Sequence, residues 1–291
     1  MKKDKWLYEI SPNTKLLSLN LKEVWNYRDL VMLFVKRDVI TLYKQTILGP
    51  LWYLIQPLFT SLIFTLIFNT VAGIETGNIP PFLFNLVGVT IWNYFKECLT
   101  ATSDTFKKNE QIFGKVYFPR VIMPLSIIIS NLLKFGIQLL ILIIFYIYYV
   151  FVVGIDLLPN ISLVFFPFLV ICMGMIGLGL GMIISSLVTK YRDLTFLVGF
   201  GVQLLMYVSA VMYPIDLMRK KLIDLERGKD HSWVIDFNPM AQIIEAGRYM
   251  MLNEGEVSLA GMLYVAVFSF LILFSGIVIF NKTEKTFIDT I

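Results

Sequence analysis

The residues with the strongest chemical character stand inside long apolar stretches of the sequence. Lys96 and Glu97 lie in one such stretch, and Lys134 lies near the middle of the next. A charged side chain in an apolar segment is costly, so it faces the protein interior or water rather than lipid. In a helix the side chain of Lys134 points back toward the level of Glu97. We therefore predict a structural Lys134–Glu97 pair, with a transport-site lysine as the alternative.

The sequence offers little that could catalyse a reaction or hold a cofactor. His231 is its single histidine, and Cys98 and Cys172 both lie in apolar stretches without the spacing of metal ligands. No G-x-x-x-x-G-K-[ST] motif occurs, so we expect no ATP to bind this chain through a P-loop. These observations disfavour an enzyme, such as a membrane glycosyltransferase, and predict no cofactor on this chain.

The elements that carry these residues are membrane spans. The sequence is 57% hydrophobic and 16% charged with a mean hydropathy of +0.73, whereas soluble domains carry about 25% charged residues. A helix is the structure that satisfies its own backbone in lipid, and ~20 residues cross a ~30 Å hydrocarbon core. We predict an all-α integral membrane protein whose six spans cover residues 50–72, 82–103, 121–153, 161–188, 194–213 and 257–280.

The distribution of Lys and Arg predicts the orientation in the membrane. Lys and Arg occur in loops 104–120 and 189–193 but not in loops 73–81 and 154–160. By the positive-inside rule both termini are cytoplasmic. The predicted organisation is a cytoplasmic N-terminal segment (1–49), a six-helix membrane domain (50–280) with an outer re-entrant segment (214–256), and a cytoplasmic tail (281–291).

An amphipathic helix is predicted just before the first span. Its expected apolar face consists of Met32, Val35, Val39, Leu42, Tyr43 and Ile47. Its expected polar face consists of Arg37, Thr41, Lys44 and Gln45. This pattern favours a helix lying in the cytoplasmic interface. Gly49 can end it, Pro50 can begin the span, and Pro57 is expected to kink that span.

A second short helix is predicted in the outer segment, over "FNPMAQIIEAGRYMML". Asn238 can cap it and Pro239 suits its first position. Its apolar side predicts a helix that dips back into the outer leaflet, and an ordinary surface helix is the alternative. Glu245 and Arg248 are expected to pair on an exposed polar side.

The fourth span carries small residues at every fourth position. Gly177, Gly181 and Ser185 lie on one helix face. Such a face lets another helix approach closely, so we interpret it as a packing surface rather than a ligand site.

Four blocks in order resemble the permeases of polysaccharide ABC exporters, a group that includes Wzm-like O-antigen permeases and those for teichoic acid and capsule. The blocks are "VKRDVITLYKQTILGPLWYLIQPL", "VYFPRVIMPLS", "KYRDLTFLVGFGVQLLMYVSAVMYPI" and "FNPMAQIIEAGRYMML". The resemblance implies a half-transporter: two copies form the channel, and two copies of a separate ATPase bind ATP and Mg. It implies a bacterial inner-membrane location, membrane lipids as surroundings and no nucleic-acid partner.

The resemblance also implies a substrate, a glycan on undecaprenyl diphosphate, and with it four candidate sites. The O-antigen, teichoic acid and capsule classes of substrate all stay open, and a secondary transporter is disfavoured because no pseudo-symmetric repeat is visible.

The candidate residues are Phe59, Phe196, Phe200, Tyr207 and Tyr213 for the channel; Arg37 and Lys44 for lipid-diphosphate loading; Phe106, Ile112 and Phe113 as anchors with Lys107, Lys108 and Glu110 as rim for the ATPase; and Pro239, Ile243, Glu245 and Arg248 for the outer gate. Lipid-facing rings, lipid-binding cations and a solvated basic loop are the competing interpretations.

Overall fold

The described part of the protein is entirely helical. The computed structural model describes residues 21–44, 48–113, 115–116, 118–191, 193–224, 233–255 and 257–287, and no strand occurs among them. The all-α prediction is therefore confirmed. His231 and the chain termini lie outside the described residues, as do Gln45 and Ile47 of the predicted interfacial helix.

Twelve α-helices follow one another along the described residues. Short 3₁₀ segments precede α3 (Gly49–Leu51) and α7 (Ile161–Phe165), and π-helical segments extend α3 (Thr65–Val71) and α6 (Tyr149–Val153). The helices are α1 Leu21–Asn26, α2 Arg28–Tyr43, α3 Trp52–Phe64, α4 Pro81–Ser103, α5 Thr105–Phe113, α6 Ile122–Tyr148, α7 Phe166–Lys190, α8 Leu194–Val208, α9 Ile215–Asp224, α10 Trp233–Asp236, α11 Pro239–Leu252 and α12 Leu259–Phe287.

Four helical stretches within the described chain are long and apolar enough to cross a membrane: Trp52–Val71, Ile122–Val153, Ile161–Lys190 and Leu259–Thr283. They agree with the first, third, fourth and sixth predicted spans, and the chain is a multi-pass membrane protein. Helix α4 has 23 residues but is more polar. Helix α8 has 15 residues, which at 1.5 Å each is about 22 Å. The count of six spans stays a prediction.

The fifth predicted span is shorter than expected. We predicted a helix to residue 213, but α8 ends at Val208 and the chain then turns. Ala210 has a positive φ of 53°, a conformation that ends a helix and that non-glycine residues adopt at a cost. The polar contacts described below explain why the turn is stable.

Helix α7 lies at the centre of the packing, against α4 on one side and α12 on another. A Cβ added to Gly181 would lie 2.5 Å from the Cβ of Thr102 on α4, and one added to Gly177 would lie 2.7 Å from that of Cys98. On the other side a Cβ at Gly179 would lie 2.6 Å from the backbone carbon of Ile272 on α12. The prediction that these glycines serve close helix packing is confirmed.

Helix α2 packs on α6 with one residue of its predicted apolar face and with two residues outside that face. Val31, Phe34 and Val35 are buried, whereas Met32 is 60% exposed and Ile40 is 46% exposed. Of the predicted apolar face, Val35 packs inside the protomer while Met32 stays exposed, so the interfacial position of this helix stays a prediction. Apolar residues occur on two sides of this helix, and packing on α6 selects the side with the phenylalanine.

We predict that Gly181→Ala destabilises the protein while Gly199→Ala does not. The added methyl at Gly181 meets Thr102 and the carbonyl of Leu99, whereas at Gly199 on α8 it meets nothing within 4 Å. Overpacking costs typically 1–3 kcal/mol, so the Gly181 variant is expected to unfold at a lower temperature. Thermal unfolding in detergent, followed by circular dichroism, measures this. Equal unfolding midpoints for the two variants would contradict the packing role.

Candidate functional site

The predicted ATPase-docking helix, α5, uses its aromatic residues inside its own protomer. Phe106 and Phe113 are 1% and 7% exposed. The ring of Phe106 stacks on Phe280 of α12 with centroids 4.5 Å apart, and Phe113 contacts Phe118 at 5.8 Å. Their assignment as docking anchors is wrong, because Phe280 of α12 covers Phe106 and Phe118, in the segment before α6, covers Phe113. The spacing of seven residues marks one helix face, but it does not say what covers that face.

The exposed side of α5 and the following turn is basic. Lys107, Lys108 and Lys115 are exposed, and the ammonium of Lys108 pairs with Asp104 at 3.0 Å. Ile112 is half-buried, and the side chain of Glu110 lies outside the described residues. The surface that this helix can offer to another protein is therefore its lysine side.

The two cations predicted to meet a lipid diphosphate have different surroundings. The guanidinium of Arg37 pairs with Asp38 at 2.8 Å and lies 4.9 Å from the ring centroid of Phe34. Lys44 follows the last turn of α2 and is exposed, with no ion pair recorded among the described residues. Lys44 is thus the more open of the two charges.

The charges inside the helical bundle do not pair as predicted. Lys134 donates to the amide oxygen of Asn131 at 2.9 Å and lies 5.4 Å from the ring centroid of Tyr53. Glu97 has Lys96 as its neighbour at 3.8 Å. The predicted Lys134–Glu97 pair is wrong, because Lys134 finds a partner one turn back on its own helix.

Lys96, Glu97 and Lys134 nevertheless line one polar cleft between α3, α4 and α6. Its cavity volume is about 20 Å³, which holds a single water rather than a sugar. The amide oxygen of Gln138 is buried in its wall without a hydrogen-bond partner. This cleft has room for a water beside the charges, and it is too narrow to carry a glycan.

Four of the five predicted channel residues lie on the outer surface of the protomer. Phe59, Phe196, Phe200 and Tyr207 are 61%, 84%, 64% and 44% exposed. Tyr213 differs, because it is half-buried in the turn after α8 and its hydroxyl donates to the carbonyl of Tyr207. Exposed rings can face lipid or a second copy of the chain, so their channel role stays a prediction.

Arg248 of α11 holds the turn after α8. Its guanidinium donates to the carbonyls of Ala210 at 2.8 Å, Val211 at 2.6 Å and Tyr213 at 3.3 Å. These three carbonyls belong to the turn that follows α8, so they have no helical donor, and a buried cation supplies one. Arg248 therefore stabilises the turn in which the chain leaves α8.

Glu245 and Arg248 lie side by side as predicted, but the prediction that this pair is exposed is wrong. The two side chains are 8% and 1% exposed and lie 4.0 Å apart, and Arg248 also lies 3.7 Å from the ring centroid of Phe84 on α4. Gly88 makes room for the guanidinium, because a Cβ there would lie 2.7 Å from it. The helix spacing correctly placed Arg248 beside Glu245 but gave no sign of the other contacts.

Helix α11 is enclosed by its own protomer on most sides. Asn238 caps it as predicted, with its side-chain oxygen accepting from the backbone of Met240 at 3.0 Å and Ala241 at 3.3 Å. Ile243 is fully buried and Pro239 is half-buried. The helix packs on α4, α7 and α12. Its role as an outer gate stays a prediction.

Comparison with known proteins identifies the family. Residues 29–252 match the family described as ABC-2 type transporter. The chain belongs to this family. It is therefore a transport permease rather than an enzyme, and an ABC ATPase is its partner in an exporter.

Three curated relatives resemble this permease over nearly its whole length. Two O-antigen export system permease proteins RfbA from Klebsiella pneumoniae are each 29% identical over 275 and 278 residues, covering 94% of this chain and 99% of theirs. The protein of the same name from Myxococcus xanthus is 23% identical over 271 residues, covering 93% of this chain and 98% of its own. The permease thus aligns with these relatives over nearly their whole length.

We predict that Arg248→Met strongly destabilises the permease. Methionine fills much of the space but leaves three carbonyls in the turn without their donor, at a cost of about 3 kcal/mol or more. The matched change Arg28→Gln, at a residue whose side chain is 59% exposed, is expected to leave stability nearly unchanged. Thermal unfolding in detergent compares the two. An Arg248→Met variant as stable as the parent would refute the role of Arg248 in holding this turn.

Proposed function

We propose that this permease is the membrane half of an ATP-driven exporter for polysaccharide of the O-antigen type. The substrate would be a glycan carried on undecaprenyl diphosphate and moved outward across the bacterial inner membrane, with both termini of the permease in the cytoplasm. The observation that carries the proposal is the near-full-length similarity to three O-antigen export permeases. Teichoic acid and capsule exporters, which the sequence also resembles, are the related classes that this observation does not favour.

The passage for the glycan would form between two copies of the permease. The protomer's interior is filled by close packing of α4, α7 and α12, and its polar cleft measures about 20 Å³. Most soluble oligomers have closed symmetry, and a two-fold axis would place one protomer's exposed helices opposite the other's. Helices α3 and α8 offer the exposed rings of Phe59, Phe196 and Phe200 for such a surface. Flat rings can pack on the C–H faces of sugars and so let a glycan slide.

A separate ATPase, also in two copies, would bind ATP and Mg and act through α5. The lysines at 107 and 108 are exposed for docking. The opposite side of α5 is fixed to the bundle, because the ring of Phe106 stacks on that of Phe280. The backbone N–H of Phe106 also donates to the hydroxyl of Ser185 at 3.4 Å. A displacement of α5 would therefore reach α12 and α7 directly.

The lipid diphosphate would be loaded where α2 meets α3. Lys44 directly follows α2 and precedes the Gly49–Leu51 3₁₀ segment, which leads into the first span. Lys44 would meet the diphosphate with Arg37, whose charge is shared with Asp38. The competing interpretation is that both cations only bind anionic lipid, at about 1 kcal/mol each.

Reconstitution tests the proposed function directly. We expect proteoliposomes that contain the permease and its ATPase to hydrolyse ATP several-fold faster when O-antigen linked to undecaprenyl diphosphate is supplied, and to move the glycan across the bilayer. A partner ATPase without hydrolytic activity serves as the control and should abolish transport. A complex with active ATPase that shows neither stimulation nor glycan movement would refute the proposal.

The double change Arg37→Gln and Lys44→Gln tests the loading site. We expect stimulation by the lipid-linked glycan to fall several-fold while basal ATP hydrolysis and assembly persist, because the diphosphate loses its cationic partners. The matched control is Lys36→Gln, which removes an exposed charge from the same helix. Unchanged stimulation in the double variant would mean that these cations only contact membrane lipid.

A further inference from the structure

A large cavity lies on the side of the bundle formed by α9, α10, α11 and α12. Its volume is about 530 Å³, and it is open to the surface on one side. Pockets that hold small organic ligands measure about 300–1,000 Å³. The predicted topology places this cavity on the outer face of the membrane. None of the candidate channel, loading or docking residues lines it, although Glu245 of the predicted gate does.

The wall of the cavity is rich in fixed hydrogen-bond acceptors. The guanidinium of Arg219 donates to Asp216 at 3.2 Å and to Asp236 at 2.7 Å, and Glu245 adds a third carboxylate nearby. The hydrogen bond from Arg219 to Asp236 raises the pKa of the guanidinium, so Arg219 stays charged. Three carboxylates stand against two cations, because Arg248 lies 4.0 Å from Glu245. The remaining negative charge disfavours a phosphate and favours a neutral ligand with hydroxyl donors.

The same wall is poorly suited to a metal ion. Arg219 occupies the position between Asp216 and Asp236 that a cation would take. Among the described residues no group of three or more histidine, cysteine or acidic side chains is arranged to hold a metal. Arg219 uses one oxygen of Asp216 and one of Asp236, so the second oxygen of each can accept a hydrogen bond from a hydroxyl group.

An aromatic platform borders the acceptors. Phe237 is 66% exposed, and its ring meets that of Tyr264 nearly edge-on at 6.1 Å. The hydroxyl of Tyr264 donates to the backbone carbonyl of Phe237 at 2.7 Å, which fixes the two residues relative to each other. The amide of Gln242 lies in the same wall. An exposed ring beside carboxylates and an amide matches a sugar, which offers an apolar C–H face and several hydroxyls.

We propose that this cavity binds neutral sugar residues of the glycan on the outer side of each protomer. The inference rests on the proposed function, because that function supplies a glycan on this face. The cavity holds the sugars and not the diphosphate, so it acts after the chain has crossed the membrane. By engaging emerging residues, each protomer opposes backward sliding of the chain between steps of ATP hydrolysis.

The test measures binding of lipid-free oligosaccharides to the full-length permease with its ATPase in lipid nanodiscs. The probe is a set of neutral oligosaccharides released by mild acid from the O-antigen of the producing strain, and binding is followed by calorimetric titration. Ala260→Trp fills the cavity, and Phe237→Ala removes its ring. The matched control is Trp233→Ala, which removes a ring that is 58% exposed on α10, the short helix directly before Phe237, and that does not line the cavity.

We expect Kd to rise at least tenfold in Ala260→Trp and in Phe237→Ala and to stay within twofold in Trp233→Ala. Circular dichroism and basal ATP hydrolysis confirm that each variant is folded. No binding by the parent complex, equal Kd in Ala260→Trp and the parent, or competition by inorganic diphosphate would each overturn the proposal.

The two proposals fail separately. If proteoliposomes export the lipid-linked glycan but the nanodisc complex binds no oligosaccharide, the cavity assignment is wrong and the exporter stands. If oligosaccharide binds at the cavity and no glycan is exported, the exporter assignment is wrong and the saccharide site stands.

Discussion

Close backbone contact between α7 and its two neighbours is the constraint on which the rest of the bundle depends. Lipid is as apolar as the side chains, so helices in a membrane gain little from hiding them and associate through close packing of small residues. A Cβ at Gly276 of α12 would lie 2.5 Å from the carbonyl of Gly179, and Gly181 allows Thr102 of α4 an equally close approach. With both sides of α7 occupied, α4 and α12 are fixed on either side of it.

The central position of α4 explains its polar composition. Asn85 is completely buried and donates to Thr65 at 3.1 Å and to Asn69 at 2.9 Å, which ties α4 to the first span. Such side chains would be costly in lipid but are satisfied against other helices. In its N-terminal half α4 meets Arg248 through Gly88, and its C-terminal end leads directly into α5. One helix thus connects α5 with the turn after α8.

The errors of the sequence-based predictions share one cause. Residue spacing correctly indicated that Phe106 and Phe113 lie on one helix face, and that Glu245 and Arg248 lie side by side. It did not indicate that α12 covers Phe106 or that carbonyls of the turn after α8 accept hydrogen bonds from the guanidinium of Arg248. The predicted pairing of Lys134 with Glu97 was wrong for a related reason, because Lys134 bonds to Asn131 on its own helix instead. Periodicity assigns a residue to a face, and only the neighbouring element decides what that face contacts.

The sequence by itself determined the features that depend on neighbouring residues along the chain. The positions of the apolar helices, the cap at Asn238, the glycine face of α7 and the lack of a P-loop follow from local spacing and composition. The tertiary structure alone decided the buried position of Arg248, the sharing of Arg37 with Asp38 and the cavity around Arg219. The physical reason is that helix geometry repeats every 3.6 residues whatever its surroundings, whereas each of these three outcomes depends on which side chains packing brings within reach.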